Sequence, residues 1–314
     1  MIFPIYLENP EKIDRVRRVF KEHLTGCKLC PRRCGVDRTK ESGFCLQRDV
    51  PRISNVVLHY GEEPPLVEKN GAGAVFFCGC NMRCVYCQNF AFSQKNIGKN
   101  ISVEELADYF LKLQELNATC LDLVTPTPHL PFIVEALGIA VTKGFKLPIV
   151  YNTSSYESVE VLNLLDGIVD VYLADLRYSN DEVALRLSAV KDYWEVATAA
   201  LREMYRQVGA FKRYASGVFR GLIVRHLVLP GDLSGSEKVA RFIAEELSTS
   251  VPVAVMGQYN PVNRAREYPE IARRLSKQEY ERVLDVFQSY GLVEGWYQLE
   301  DGEPVRAVGV KLAD

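Results

Sequence analysis

Six short apolar runs follow one another after residue 70, with helical patterns between them. They are AVFF (74–77), CLDLVT (120–125), LPIVYN (147–152), VDVYLAD (169–175), LIVRHLVL (222–229) and VPVAVMG (251–257). Their continuous Val, Ile and Leu content is that of strands buried on both faces, as in a parallel sheet. Helix patterns cover about 102–116, 130–143, 155–165, 180–208, 236–248 and 276–290. In the first, apolar side chains at 103, 106, 110, 113 and 116 keep a helical period, with Ser102 as N-cap and Glu105 three residues on. Consecutive βα units build a doubly wound sheet or a barrel, complete or partial. A full barrel takes eight units, so the expectation is an α/β fold with a partial (βα)6 TIM-like barrel over 71–298.

In either architecture reactive side chains gather at the C-terminal ends of the strands. Those ends hold Cys78–Cys87, Thr125–His129, Asn152 and Thr153, Asp175, His226 and Gln258–Asn260. Residues 1–70 differ in character. They carry CKLCPRRCGVDRTKESGFC (27–45) with little apolar periodicity, a small segment that needs a metal or cluster as staple. Residues 209–221 read as a basic connection, and 299–314 as a terminal strand or extension.

Composition narrows the partners. A net charge of −2 argues against broad binding of nucleic acid or anionic membrane. The basic excess of residues 1–50, eleven Lys and Arg against seven Asp and Glu, reads as a contact patch or a solvated face. No apolar run approaches ~18 residues, the length of a membrane span. The start, MIFPIYLENPEKIDRVRR, lacks a secretion-signal pattern, so a cytoplasmic location is expected. There, nine cysteines point to metal or redox chemistry rather than disulfides.

Two cysteine sets stand out. Cys80-x3-Cys84-x2-Cys87 lies on the loop after the first run, where three thiolates can converge on one metal centre. Structural zinc and iron–sulfur clusters usually take four protein ligands, so three leave a coordination position open, as catalytic metals do. The second set, Cys27-x2-Cys30-x3-Cys34-x10-Cys45, offers four thiolates among turn-forming Pro31, Gly35 and Gly43. An iron–sulfur cluster and a structural zinc both fit it. The competing assignment pairs Cys27 and Cys30 with Cys84 and Cys87 in a zinc ribbon, but ribbons are small β structures without βα units. Cys120 reads as core, and Cys78 as core or as support behind the ligands.

The triad, with Tyr86 as the aromatic before its last cysteine, resembles the radical S-adenosylmethionine superfamily. The resemblance implies that Cys80, Cys84 and Cys87 hold a [4Fe–4S] cluster whose fourth iron is chelated by S-adenosylmethionine. Electron transfer then yields methionine and a 5′-deoxyadenosyl radical, and Tyr86 backbone is expected near the adenine. The ordered segments CKLCPRRCGVDR, HYGEEPPL, FFCGCNMRCVYCQN, LVTPTPH, PIVYNTSSY, VDVYLAD, VRHLVLPG and MGQYNP are similar to the pyruvate formate-lyase activating enzyme-like group. That group implies a reducing partner such as ferredoxin or flavodoxin and hydrogen abstraction from a substrate, in true activases a protein glycine. Peptides and small metabolites remain open as substrates.

The family's Gly-Gly-Glu-like stretch is missing here. VTPTPH (124–129) stands in its place, so Thr125 or Thr127 would substitute. Asn152 and Thr153 are expected at the ribose or the methionine carboxylate. Asp175 suits a ribose or substrate contact, an N-cap or an ion pair with Arg177. His129 belongs to the site or to an exposed helix end. Alternation sends Arg225 and His226 to opposite faces, with His226 favoured as the one pointing at the cofactor or resting as a core histidine. The competing function is a non-enzymatic iron–sulfur or zinc protein, an electron carrier or adaptor, which would not cleave S-adenosylmethionine.

Overall fold

The computed structural model describes residues 3–297 and 306–308 of the 314-residue chain. The strands are β1 (Arg52–His59), β2 (Ala72–Phe77), β3 (Lys99–Asn100), β4 (Leu121–Val124), β5 (Ile149–Thr153) and β6 (Val171–Asp175). They continue with β7 (Lys212–Arg213), β8 (Phe219–Leu227), β9 (Val253–Met256), β10 (Gly295–Tyr297) and β11 (Arg306–Val308). The sheet runs β11-β10-β9-β8-β6-β5-β4-β2-β1-β3, with β7 beside β8. From β2 to β10 every pairing along that order is parallel, while β1, β3 and β11 are antiparallel at the edges. Among the described residues the sheet does not close on itself, so this is a partial, TIM-like barrel.

All six apolar runs are strands of it. β10 adds a parallel strand too short to read from pattern, and β1 is an antiparallel strand from the cysteine-rich N-terminal segment 1–70. Of the C-terminal segment 299–314, only Arg306–Val308 is among the described residues, where it forms β11.

The helices are α1 (Glu11–Glu22), α2 (Pro64–Val67), α3 (Phe90–Ser93), α4 (Val103–Glu115), α5 (Leu130–Thr142), α6 (Val159–Leu165), α7 (Asp181–Ser188), α8 (Tyr193–Val208), α9 (Ser236–Phe242) and α10 (Lys277–Ser289). Ser102 and Glu105 form a reciprocal capping box on α4, and Ser276 and Glu279 form one on α10. The single helix expected over 180–208 is two. Ala189 and Asp192 take left-handed conformations (φ 53° and 52°), which break the backbone ladder between α7 and α8. Among the described residues no helix is long and apolar enough to cross a membrane.

Strand parity divides the core in two. The register Asp122↔Val150↔Val171 and Asp175↔Arg225↔Ala254 fixes one face of β4, β5, β6, β8 and β9. That face is the barrel interior, where Cys120, Val150, Leu173, Ile223 and Trp296 pack with Leu66 from α2. The opposite face packs against the helices through residues such as Leu121, Leu123, Tyr151 and Tyr172. The N-terminal segment joins this outer layer: Ile13, Val16 and Phe20 of α1 are buried against α5. At the N-terminal end of the barrel, the Ile5 amide donates to Asp170 Oδ1 (2.7 Å) and Tyr6 hydroxyl to the Leu147 carbonyl (2.9 Å).

Candidate active site

The first cysteine loop begins where β2 runs out. Gly79 turns the chain with φ +77°, and a Cβ there would lie 2.2 Å from the Cys45 carbonyl oxygen. Only glycine therefore lets residues 45–47 seat directly on this loop. The next turn is held by backbone bonds to the end of α7: Arg83 N–H to the Ser188 carbonyl (2.9 Å) and Val85 N–H to the Leu187 carbonyl (2.8 Å).

This fixed loop forms one wall of a cavity of about 570 Å³ at the C-terminal ends of the strands. Cys80, Cys84, Cys87, Tyr86, Thr125, Thr127, Asn152, Thr153 and Asp175 all line it, as do His59, Glu62, Arg177 and Arg225. Polar groups surround the sulfurs. Cys84 Sγ accepts from Ser188 Oγ (3.0 Å) and from Arg177 Nη1 (3.4 Å). Cys80 Sγ accepts from the Met82 amide (3.4 Å), and Ser93 Oγ lies 3.3 Å from Cys87 Sγ. The Ser188 hydroxyl is itself 2.6 Å from that of Tyr178, which bonds Tyr86. As a free thiol Cys80 would hold its proton tightly, its pKa pushed up to about 12, chiefly by burial.

Donors aimed at sulfur favour the thiolate form that a metal requires. None of the nine cysteines is paired in a disulfide. Among the described residues no three His, Cys, Asp or Glu side chains are gathered for a single ion. A polynuclear cluster distributes its thiolates over several irons and does not require such gathering. The donor set thus fits an iron–sulfur cluster better than a mononuclear metal.

Below the thiols lies a charged floor. Arg225 donates through Nε to Asp175 Oδ1 (2.7 Å), through Nη1 to Glu62 Oε2 (3.1 Å) and through Nη2 to Asn152 Oδ1 (2.6 Å). Arg177 pairs with the other oxygen of Asp175 (Nε to Oδ2, 3.1 Å). Burial alone would raise the pKa of Asp175, but Arg225 and Arg177 outweigh it and hold the carboxyl below its ordinary value. Asn152 Nδ2 reaches Asp122 Oδ2 at 3.5 Å. Deeper in, burial pushes Glu63 up to about 8 and raises Asp122 well above the carboxylate range.

His226 is corrected by this geometry. It points away from the cavity, with Nδ1 2.7 Å from the Leu176 carbonyl, Nε2 2.9 Å from Ser236 Oγ and its ring against Phe287. Burial pushes its pKa down to about 4, so it rests as a neutral core histidine. The inward position on that strand belongs to Arg225, which the register sets opposite Asp175. His129 is neither in the cavity nor exposed: it is buried, stacked on Phe77 with Nε2 2.8 Å from the Cys78 carbonyl.

Thr127 and Thr153 both donate to Glu157 Oε1 at 2.5 Å, while Glu157 Oε2 has no hydrogen-bond partner among the described residues. Burial pushes the Glu157 pKa up to about 7. A carboxyl whose folded pKa exceeds its unfolded value is stabilising while protonated, and that contribution is lost as pH rises from about 4.3 toward 7. Glu157→Gln is therefore expected to raise Tm more at pH 8 than at pH 5, read by thermal unfolding. Equal shifts at both pH values would show that this carboxyl is not buried in protonated form.

The second cysteine set is also brought together. Cys27, Cys30, Cys34 and Cys45 line one small cavity, with Arg32, Arg38 and Phe44 beside them. Asn81 and Thr127 line both cavities, so the two thiol sets share a wall.

Comparison with known proteins places this arrangement. A model described as the radical SAM superfamily matches residues 74–231, half of the chain. The chain belongs to the radical S-adenosylmethionine superfamily, a family of enzymes whose membership implies a [4Fe–4S] cluster and S-adenosylmethionine. Among curated proteins, the uncharacterized protein MJ0674 of Methanocaldococcus jannaschii is 35% identical over 293 residues, 90% of this chain and 80% of its own. Pyruvate formate-lyase 1-activating enzyme of Escherichia coli is 22% identical over 229 residues, 69% of this chain and 88% of its own. Among solved structures, a domain of pyruvate-formate lyase-activating enzyme from Bacteroides vulgatus covers 55% of this chain and 92% of its own, at 14% identity and a TM-score of 0.40.

Four side chains of the site escaped sequence reasoning as site residues. Glu62 sits in HYGEEPPL, whose paired carboxylates after a strand were the available signal. Arg225 was visible as one of two adjacent candidates. Arg177 was read only as a possible ion-pair partner, and nothing in the pattern pointed from Ser188 to a sulfur 104 positions away.

Proposed function

We propose that this chain reductively cleaves S-adenosylmethionine and abstracts a hydrogen atom from a substrate in the manner of a glycyl-radical activase. The observation that carries the reading is the wall of three buried or half-buried thiols, each met by a polar hydrogen-bonding group, above a paired-charge floor. In that assignment Cys80, Cys84 and Cys87 hold the [4Fe–4S] cluster. Held there, such a cluster would supply the single electron for reductive cleavage of S-adenosylmethionine. The chain's own residues orient and shield. Ser188 and Arg177 donate hydrogen bonds to Cys84 Sγ, and Tyr86 closes the cavity beside the cysteines. Thr125, Thr127, Asn152, Thr153 and Asp175 line the cavity where the cofactor's amino acid and ribose groups would lie, with Thr127 and Thr153 held by Glu157 and Asn152 and Asp175 by Arg225.

The sheet, open among the described residues, supports a bulky substrate, because a barrel left unclosed admits a loop of another protein from the side. A low-potential one-electron carrier such as ferredoxin or flavodoxin would serve as reductant. The test is uncoupled turnover: anaerobic protein, dithionite and S-adenosylmethionine, with no substrate added. Methionine and 5′-deoxyadenosine in equal amounts are the expected products. Absence of both from protein carrying a full iron complement would sink the proposal and return the chain to an electron carrier or adaptor.

A further inference from the structure

We propose that Cys27, Cys30, Cys34 and Cys45 hold a second, net-negative metal–thiolate centre whose buried counter-ion is the guanidinium of Arg38. This goes beyond the reaction proposed for the barrel cavity and stands without it. The argument begins with unbalanced charge. Arg32, Arg38 and Arg83 lie around the two thiol sets, and among the described residues none of the three is paired with a carboxylate. Arg32 donates to the carbonyls of Asn81 (2.6 Å) and Ala189 (2.5 Å), and Arg83 to those of Cys80 (2.9 Å), Met82 and Phe44. Both guanidinium groups lie over the Phe44 ring, at 3.4 and 4.4 Å from its centroid.

Arg38 is the decisive one. It is 1% exposed, lines the cavity ringed by the four cysteines, and donates to the carbonyls of Pro128 (2.8 Å) and Arg48 (2.6 Å). Its Nε has no hydrogen-bond partner among the described residues. A buried cation with an unmet N–H and no carboxylate beside it is costly unless an anion completes it. Four thiolates around an iron–sulfur cubane leave a net negative charge, which is that anion. The ring of sulfurs and the unpaired guanidinium thus point independently to the same occupant.

Metal analysis tests the occupant. Anaerobically purified full-length protein is expected to hold about eight irons if both sites carry cubanes. About four irons and one zinc would mean a single ion at the second site, for which the described side chains are not gathered, and would overturn the cluster assignment. Four irons, no zinc, and four N-terminal thiols reacting freely with a thiol reagent in the folded protein would overturn the proposal. Cys84→Ala separates the two readings, because it strips the barrel site and should leave the N-terminal metal in place.

Arg38 is tested as a positioning charge. Arg38→Met should release the N-terminal metal to a chelator about 10- to 100-fold more readily, the usual cost of losing an outer partner of a metal ligand. Arg38→Lys, which keeps the charge, should restore most of the retention. Wild-type retention in the Met variant would remove Arg38 from the assignment. Should that variant fail to fold, thiol titration of the wild-type protein before and after chelation still decides whether the four sulfurs are masked by metal.

Discussion

Cys84→Ala is expected to abolish 5′-deoxyadenosine formation and to lower the iron content by about four per chain. Its sulfur is buried and sits at the end of the hydroxyl chain from Tyr86 through Tyr178 and Ser188, with Arg177 on its other side. On the proposed assignment, removing it deletes a cluster ligand and also leaves those donors facing nothing. Ser188→Ala keeps the ligand and removes one donor, so its expected loss is smaller, about 10- to 100-fold in cluster retention. Iron analysis with product chromatography checks both. Product formation by Cys84→Ala at the wild-type rate would exclude the triad as the reactive centre, whereas equal losses in both variants would mean that the alanine at 84 acts through misfolding.

Arg225→Met is expected to cost about 3–5 kcal/mol of stability, because it takes the arginine from buried Glu62 and leaves buried Asp175 to Arg177 alone. The side chains of Asp175 and Glu62 are 6% and 9% exposed, so water cannot replace the lost partner. The pH dependence has a definite sign. Asp175 is held below its ordinary pKa, so it contributes stability that is present above that range and lost as pH falls through the lowered value. The gap between variant and wild type should accordingly be widest above about pH 5 and narrow in acid. Denaturant melts at two pH values measure it. A variant within 1 kcal/mol of wild type at neutral pH would show that the floor contributes little to holding the barrel together.

The strands and both cysteine sets were legible because each is written locally. A run such as VDVYLAD needs no partner to be read as a buried strand, and Cys-x3-Cys-x2-Cys is confined to one loop. What the pattern did not decide was the inward residue of β8. Parity separates Arg225 from His226, but a barrel strand is buried on both sides, so burial could not tell which face was the interior. Only the register with Asp175 does that. Glu62 was hidden for a different reason: it belongs to a segment whose role depends on β1 pairing antiparallel with β2 at the sheet edge. Ser188 reaches Cys84 across 104 positions, a contact that no local spacing encodes.

The break after α7 has a consequence for anyone trying to make this protein sturdier. In one uninterrupted helix the Leu187 and Ser188 carbonyls would be consumed by amides four residues on. Here they are free to grip the backbone of Arg83 and Val85, and the Ser188 hydroxyl turns toward Cys84. Substitutions across 189–192 that favour a continuous helix would improve the local propensity score while loosening the grip on the loop. Thermostability and cluster retention should then move in opposite directions, an antagonism that consensus engineering of this stretch would meet at once.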